Sequence, residues 1–286
     1  PVAGTGASIS FGFQTAAGTY SVAAVNATTT CSNAMLGSTS VTVGSVPVVY
    51  SVTGGGGYCA GGSGVSVGLS NSQSSVSYQL RRDGTDIGTP IAGVGGAMSF
   101  GLFTTPGNYT VIANPSATCA VNMSGSVTVV INPLPNVYTV SGGGTYCAGG
   151  SGFNIVQNFS VVGIDYQLYN GATAVGSPIA GASSGLDFGV QTAPGTYTVL
   201  ATNATTGCQS AMAGAPTIVV NPVPAVFTVT GGGNYCSGGS GVSIGLTGTS
   251  SGINYQVYNG TTAVGSPIAG TGSALTLGAF TAAGTY

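Results

Sequence analysis

One motif recurs three times at a near-constant interval, and this repeat constrains the fold more than any other feature of the chain. It reads GGGGYCAGGSG at residues 54–64, GGGTYCAGGSG at 142–152 and GGGNYCSGGSG at 231–241. Its three cysteines, Cys59, Cys147 and Cys236, follow each other at intervals of 88 and 89 residues. Because such an interval is the size of one small domain, the chain is predicted to be a tandem array rather than one large globule.

The repeat also sets the expected domain boundaries. Residues 1–20 (PVAGTGASISFGFQTAAGTY) and 267–286 (PIAGTGSALTLGAFTAAGTY) are the same part of the repeat, 266 residues apart. Proline-containing stretches at 45–47, 132–135 and 221–224 predict short, stiff linkers. We therefore expect the C-terminal half of one repeat at 1–46, complete repeats at 47–135 and 136–224, and the N-terminal portion of another at 225–286. The chain is then a window on a longer array, or neighbouring chains complete its two end domains.

Composition favours β structure throughout the array. Hydrophobic residues make up 43% of the 286 residues and charged residues only 2%, where about a quarter is usual. Disordered chains are poor in apolar residues, whereas Val, Ile, Leu, Tyr and Phe here alternate with Ser and Thr. No helical period is present. The chain is therefore predicted to be all-β.

Each repeat holds about seven short strands separated by turn signals, which is typical of an immunoglobulin-like β-sandwich. In residues 47–135 we expect strands A at 48–53, B at 65–69, C at 76–80, a short C′ near Ile87, E at 97–103, F at 108–113 and G at 126–131. The glycine–cysteine motif is expected to be a wide turn between A and B, and residues 89–93 a crossing segment. The fold class is thus all-β, with tandem immunoglobulin-like sandwiches arranged head to tail.

A Gly-x-Tyr triplet at the expected start of strand F supports this fold. In immunoglobulin-like domains, a tyrosine at this point turns its hydroxyl back to the backbone and forms a tyrosine corner. The cysteine that usually follows and the usual tryptophan of strand C are replaced by valine and tyrosine. The predicted corner residues are Tyr20, Tyr109, Tyr197 and Tyr286.

Units that read NPLPxVYxVxGGGxYCAGGSG, then YQLYNGxxAVGSPIAG and TAxGTYTVxATNATTGC, resemble a known group of repeats. These are the immunoglobulin-like tandem repeats of very large surface and secreted proteins of Bacteroidota, among them gliding-motility adhesins and type IX-secreted proteins. The resemblance covers the whole chain. It implies an extracellular stalk, adhesin or fibre at the cell surface and transfers no catalytic residue.

The residues needed for common catalytic chemistry are missing from the sequence. There is no His, Lys or Glu, and the four carboxylates are Asp83, Asp86, Asp165 and Asp187. No pair of them recurs between repeats, and a serine or cysteine nucleophile has no histidine base. We expect no catalytic residue, no enzyme activity and no cofactor.

Ligand sites of the common inorganic kinds are also disfavoured. The pair Asp83 and Asp86 could offer oxygens to calcium, but Arg81 and Arg82 stand beside it, so a solvated hairpin turn is expected. One cysteine per loop does not supply a zinc site. The glycine loop has neither the lysine nor the following helix of a phosphate-binding loop. We expect no metal.

Macromolecular partners are limited by the charge. A net charge of −2 gives no field that would attract nucleic acid, and no run of about 18 apolar residues exists to span a membrane. The tyrosines beside the loop cysteines could stack on sugars, although we favour a role in covering the domain end. They are Tyr58, Tyr146 and Tyr235.

The six cysteines fall into two classes and indicate disulfides in an oxidising, extracellular setting. Three lie in the A–B loop (Cys59, Cys147, Cys236) and three in the F–G hairpin (Cys31, Cys119, Cys208). Pairing within a repeat would give Cys59–Cys119 and Cys147–Cys208. In an immunoglobulin sandwich, however, the two classes lie at opposite ends, about 20 Å apart, whereas bridged Cα atoms are about 4.4–6.8 Å apart.

In a head-to-tail array, the A–B loop of one repeat faces the F–G hairpin of the next. This favours Cys59–Cys208 as an inter-domain disulfide, with Cys31, Cys119, Cys147 and Cys236 pairing outside the chain. Pairing within a repeat stays open if the glycine-rich loop folds far up the sandwich.

Together these features predict an extracellular structural or adhesive filament or stalk of tandem domains, stabilised by disulfides. Its partners are expected to be further copies, through self-association into filaments, or a continuation of the same array. Two alternatives remain from the sequence. One is an array of modules that bind a glycan or a surface ligand through the loop tyrosines. The other is a filament subunit whose incomplete end domains are completed by neighbouring chains.

Overall fold

The computed structural model of the protein describes residues 1–115 and 119–286, and every regular element in them is a β-strand. Residues 1–46 contain β1 (Gly18–Tyr20), β2 (Ala23–Val25), β3 (Ser32–Ala34) and β4 (Thr39–Val41). Residues 47–135 contain β5 (Val52–Gly54), β6 (Gly56–Cys59), β7 (Val65–Leu69), β8 (Ser77–Arg82), β9 (Thr85–Ala92), β10 (Met98–Phe103), β11 (Gly107–Ala113), β12 (Val121–Asn122) and β13 (Val127–Asn132).

The remaining residues repeat this order. Residues 136–224 contain β14 (Val140–Gly142), β15 (Gly144–Cys147), β16 (Phe153–Gln157), β17 (Ile164–Asn170), β18 (Thr173–Ala180), β19 (Leu186–Gln191), β20 (Gly195–Asn203), β21 (Gln209–Ala211) and β22 (Thr217–Asn221). Residues 225–286 contain β23 (Val229–Gly231), β24 (Val242–Leu246), β25 (Asn254–Asn259), β26 (Thr262–Ala269) and β27 (Leu275–Phe280).

The chain divides into two compact units. The first comprises Pro1–Asn136 together with the hairpin Thr202–Ser210, and the second comprises Val137–Ala201 together with Ala211–Tyr286.

In the first unit, a complete sandwich is built from two sheets. One sheet has the order β5-β7-β10 and the other the order β6-β13-β11-β8-β9, with β12 paired to β11. All neighbours are antiparallel except β6 and β13, which run parallel. This is the immunoglobulin-like arrangement of strands A, B and E against A′, G, F, C and C′. The predicted all-β, immunoglobulin-like fold is confirmed.

The second unit contains the same sandwich. Its sheets have the orders β14-β16-β19 and β15-β22-β20-β17-β18, and β15 again runs parallel to β22. The last repeat has the sheets β23-β24-β27 and β25-β26. The recurrence of one strand order in successive stretches of sequence shows that the domains are tandem copies.

Two strands lie where the sequence predicts a turn or a crossing. Residues 89–93 were expected to cross over, but most of them belong to β9, where Ile91 pairs with Tyr78. Residues 56–59 of the supposed A–B turn form the strand β6. Glycine and proline are rare within strands, so both segments look like loops by composition, and only tertiary pairing makes them strands.

Each complete repeat has its own apolar core. Tyr78 and Tyr109 are fully buried at its centre in the first repeat, and Tyr166 and Tyr197 have the same positions in the second. The backbone N–H of Gln73 donates to the Tyr78 hydroxyl at 3.0 Å. Tyrosine thus fills the usual tryptophan position, and its hydroxyl is paired.

A buried glutamine on strand C was missed by the sequence analysis. The register between β8 and β9 shifts between Tyr78 and Leu80, which leaves carbonyl groups without ladder partners. The Gln79 Nε2 donates to the carbonyls of Leu80 and Ile87, both at 2.8 Å. Gln167 and Gln256 make the corresponding bonds in the next two repeats. The recurring Tyr-Gln-Leu or Tyr-Gln-Val triplet is the sequence signal for this device.

One buried polar group is left without a partner. Gln157 is 2% exposed, and its Nε2 donates to the Phe159 carbonyl at 2.6 Å. Its Oε1 has no hydrogen-bond partner among the described residues. The other repeats have Leu69 and Leu246 at this position, each paired to the corresponding residues of strands A and E.

Replacing this glutamine should therefore stabilise the second repeat. We expect Gln157→Leu to raise its free energy of unfolding by about 1–3 kcal/mol, because an unpaired buried carbonyl is removed. The matched change Leu69→Gln should lower the stability of the first repeat. Urea unfolding followed by tyrosine fluorescence measures both, and an unchanged midpoint for Gln157→Leu would contradict the assignment.

Candidate functional site: the glycine–cysteine loop and its disulfide

The loop begins with a switch of the chain from one sheet to the other. Strand β5 belongs to the first sheet and β6 to the second, and only Gly55 lies between them. Gly54, Gly55 and Gly56 have φ angles of 91°, 69° and 113°, which L-residues with side chains rarely adopt. A Cβ on Gly54 would also overlap the Ser66 carbonyl, so glycine is required there for both conformation and space.

The cysteine of the loop is placed by the parallel pairing that follows the switch. Cys59 is the last residue of β6 and pairs with Asn132 at the end of β13. The N–H of Ala60 donates to the Asn132 carbonyl at 2.9 Å. In the second repeat, Cys147 pairs with Asn221 in the same way. Each cysteine therefore stands where the last strand of its own repeat ends.

The tyrosine before this cysteine is held by a hydrogen bond from its hydroxyl and, in the first two repeats, by packing of its ring. The Tyr58 hydroxyl donates to the carbonyl of Thr104, and its ring packs against the core of the first repeat. Tyr146 donates to Thr192 and contacts the ring of Phe153 edge-on, and Tyr235 donates to Thr281. The rings of Tyr58 and Tyr146 pack against the cores of their own repeats, whereas Tyr235 is 40% exposed.

A disulfide joins Cys59 to Cys208, with a Cα–Cα distance of 5.5 Å and 149 residues between them in sequence. Cys208 is fully buried. This is the pair favoured from the strand directions. Cys119 and Cys147 carry no disulfide in the described part of the chain, so the alternative pairs within a repeat are not formed.

The hairpin that carries Cys208 has a rigid, hydrogen-bonded turn. The Asn203 Oδ1 accepts from the N–H groups of Thr205 and Thr206, both at 2.9 Å. The Asn203 N–H donates to the Cys208 carbonyl at 2.8 Å. Asn26 makes the same turn before Cys31. The sequence Asn-Ala-Thr-Thr-x-Cys therefore presents its cysteine from a preformed turn, a role that sequence reasoning did not assign.

Three of the four carboxylates make structural contacts. Asp83 and Gly84 form a two-residue hairpin turn between β8 and β9, and the Asp83 Oδ1 accepts from the Asn108 N–H at 2.9 Å. Arg81 Nε lies 2.6 Å from the Asp86 Oδ1. Asp187 accepts from the Asn154 amide at 3.1 Å. The described residues contain no group of three or more His, Cys, Asp or Glu side chains that could hold a metal.

Each predicted corner tyrosine bonds to the backbone four residues earlier. The hydroxyls of Tyr20, Tyr109, Tyr197 and Tyr286 donate to the carbonyls of Ala16, Thr105, Ala193 and Ala282, each at 2.8 Å. Burial raises the pKa of Tyr197 above its ordinary value, and burial likewise raises the pKa of Tyr166. In neither of these two is the hydroxyl exposed for ligand chemistry.

The part of the chain that the structure describes contains no helix long and apolar enough to cross a membrane.

The strand switch yields a mutational prediction. Gly54→Ala should destabilise the first repeat by about 2 kcal/mol or more, since a Cβ meets backbone and the φ angle is positive. Gly61→Ala is the matched control, because its φ is 83° but nothing lies within 4 Å of its Cβ position. It should cost only the conformational strain, about 1 kcal/mol. Equal losses in thermal unfolding would contradict the steric argument.

The buried tyrosines predict a loss of stability in alkali. Their pKa values are raised in the folded state, so the folded chain holds its protons above the ordinary tyrosine pKa of about 10. This contribution is complete below about pH 10 and is lost as the pH rises further, because the unfolded chain then binds fewer protons. Unfolding of the thiol-alkylated protein between pH 8 and 11.5 tests this. Tyr166→Phe should make the decline shallower, and an identical decline would contradict it.

No protein-family model matches the chain, and no curated protein matches it in sequence. Similar solved structures include a Ca²⁺-stabilised adhesin that helps an Antarctic bacterium to reach out and bind ice, at 16% identity over 90% of this chain and 72% of that chain, with a TM-score of 0.37. Immunoglobulin domains 1–5 of Sidekick-1 match at 14% identity over 92% of this chain and 61% of that chain, with a TM-score of 0.35. The fibronectin(III)-like modules of Clostridium thermocellum CbhA match at 13% identity over 60% of this chain and 94% of that chain, with a TM-score of 0.36. The fold assignment rests on the strand order described above.

Proposed function

We propose that the chain is a structural segment of an extracellular filament or stalk, in which disulfides between consecutive repeats resist extension. The observation that carries this proposal is the Cys59–Cys208 disulfide, which joins the first complete repeat to the F–G hairpin of the second. Disulfides persist in oxidising surroundings, which supports an extracellular location. The resemblance of the repeat motifs to Bacteroidota surface proteins supports an origin in that group.

The position of the disulfide gives it a mechanical role. It encloses residues 60–207, which include all of strands β7 to β20. A force applied to the two chain ends passes through the covalent bond, so this interval cannot extend while the bond is intact. Most of each complete repeat (47–135 and 136–224) lies inside the enclosed interval, so the unfolding of either repeat alone adds little to the length of the chain.

The surface chemistry fits a structural role. The chain carries two Arg and four Asp among 286 residues, and the side chains of Ser, Thr, Asn and Gln supply its polar groups. Association through such a surface depends little on ionic strength. We propose that its partners are further repeats of the same kind, in the same chain or in other copies, and that it is not an enzyme.

Single-molecule extension of the 286-residue chain tests the proposal. With the disulfide intact, the gain in contour length on complete unfolding should be smaller by about 500 Å than after reduction, since about 149 residues stay enclosed. Cys59→Ser should give the long extension without reductant and lower the stability of the joined repeats by about 2–4 kcal/mol.

Cys147→Ser is the matched control, because this cysteine has the same place in the second repeat but no disulfide here. It should behave as the native chain. Equal contour lengths with and without reductant would overturn the proposed mechanical role of the disulfide.

A further inference from the structure

The sequence contains two Asn-Gly pairs, and both lie in the same hairpin of successive repeats. Strand β17 ends at Asn170 and strand β25 ends at Asn259, so each pair leads into the turn from strand C to strand C′. The φ angles of Gly171 and Gly260 are 59° and 60°, which favour glycine. The turn geometry therefore accounts for the glycine of each pair but not for the asparagine before it.

An Asn-Gly pair is chemically labile in water. The backbone nitrogen of the glycine gives up its proton and attacks Cγ of the asparagine side chain, a C–N bond forms, and the side-chain nitrogen leaves as ammonia. Water then opens the five-membered succinimide and gives aspartate or isoaspartate. Because glycine has no side chain to hinder the attack, this pair reacts faster than other asparagine pairs in a flexible chain.

In the folded second repeat, both nitrogens of this reaction are held by carbonyl groups at the start of strand F. The Gly171 N–H donates to the Thr196 carbonyl at 3.0 Å, and the Asn170 Nδ2 donates to the Pro194 carbonyl at 3.2 Å. A hydrogen bond to the neutral N–H disfavours its deprotonation. The side-chain amide also cannot turn toward Gly171 while it is bonded. Succinimide formation therefore requires both hydrogen bonds to open.

The last repeat makes the same pair of contacts, which we call the turn clamp. The Gly260 N–H donates to the Thr285 carbonyl at 2.9 Å, and the Asn259 Nδ2 donates to the Ala283 carbonyl at 3.3 Å. The first repeat has Arg-Asp at the equivalent positions and so has no Asn-Gly pair. The clamp is thus present at each Asn-Gly pair of the chain.

The Gly-x-Tyr triplet of strand F supports the clamp in two ways. A Cβ on Gly195 would overlap the Asn170 Oδ1, and the last repeat has the same close approach, so the glycine makes room for the asparagine side chain. The Tyr197 hydroxyl donates to the Ala193 carbonyl, next to Pro194. The corner tyrosine therefore holds the segment that carries one of the two acceptors.

We propose that Asn170 and Asn259 are deamidation sites that the fold controls. While the clamp is closed, each side chain stays an amide. When the clamp opens, the reaction proceeds and the site gains one negative charge. The proposal concerns chemical modification of the chain and does not rest on the proposed structural function.

The modification proceeds in one direction only. The carboxylate of the product has no N–H to donate, so in the second repeat two acceptors, the carboxylate and the Pro194 carbonyl, would face each other. Isoaspartate also adds a methylene to the backbone of a two-residue turn. A repeat that has opened long enough to react therefore cannot restore its clamp. The added charge marks that repeat in a chain whose net charge is −2.

The experiment incubates the intact chain at about pH 8.5 and 37 °C, either folded in buffer or unfolded in guanidinium chloride. Peptide mapping then quantifies aspartate and isoaspartate at Asn170 and Asn259. Both sites should react more slowly in the folded chain, by about 100-fold or more, because the reaction requires local opening. Equal rates in the two conditions would overturn the proposal.

Two tyrosine variants distinguish opening of the clamp from unfolding of the whole repeat. Tyr197→Phe removes the hydroxyl that bonds beside the clamp, whereas Tyr166→Phe removes one that accepts from the Val161 N–H in the same core. Tyr197→Phe should raise the rate at Asn170 about fivefold, and Tyr166→Phe less than about twofold. Equal increases would show that the reaction follows global unfolding and would overturn control by the clamp.

Gly195→Ala tests the packing against the asparagine side chain. The new Cβ should displace Asn170 and raise its rate about tenfold or more, while Asn259 in the same chain should keep its native rate. Gly284→Ala should have the reverse effect. An equal rise at both sites in either variant would contradict local control.

Asn170→Asp tests the one-way step, because it reproduces one of the products. It should lower the urea midpoint of the second repeat, since the bond to the Pro194 carbonyl is lost. Asn136→Asp is the matched control, because it adds the same charge at an exposed position and should leave the midpoint unchanged. Equal midpoints for the two variants would show that the clamp closes again after deamidation and would overturn the one-way step.

Discussion

The parallel pairing of strands A′ and G is the interaction on which the rest of the structure depends. It requires the chain to leave one sheet at Gly54 and enter the other at Gly56, a path that needs glycine for its positive φ angles. The pairing then aligns Cys59 with Asn132, at the point where one repeat ends and the next begins.

The buried polar groups are hydrogen-bonded almost entirely by uncharged side chains and backbone groups. In the described residues, the one ion pair joins Arg81 to Asp86 on the surface, where such pairs contribute little. Backbone groups that have no partner in the β-ladders are hydrogen-bonded by three kinds of side chain. These are the corner tyrosines, the tyrosines of strand C and the glutamines at the register shifts. Each of these bonds closes a local contact within one repeat, so each sandwich can form its core independently. The Gln157 Oε1 is the exception, and it occurs where the other repeats have leucine.

Much of this arrangement could be predicted from the sequence, because the repeat removes most alternatives. The period indicated the domain size, the Gly-x-Tyr triplets located strand F, and the direction of the strands favoured Cys59–Cys208 over the pair Cys59–Cys119, which stayed open. The strand β6 and the second half of β9 were missed because glycine and proline dominate them, and their pairing depends on neighbours distant in sequence. The partnering of Gln79 was also missed, since the recurring Tyr-Gln-Leu or Tyr-Gln-Val triplet marks the position but does not by itself show the register shift between two strands.

The same glycines and prolines control where further strands can be added. The C′ edge strands β9, β18 and β26 each have a glycine of positive φ, namely Gly88, Gly176 and Gly265, and a proline two residues later. Proline offers no N–H, so these edges cannot support a regular ladder with another copy. A surface with so few charges has little repulsion to prevent lateral pairing, and the backbone supplies that protection instead.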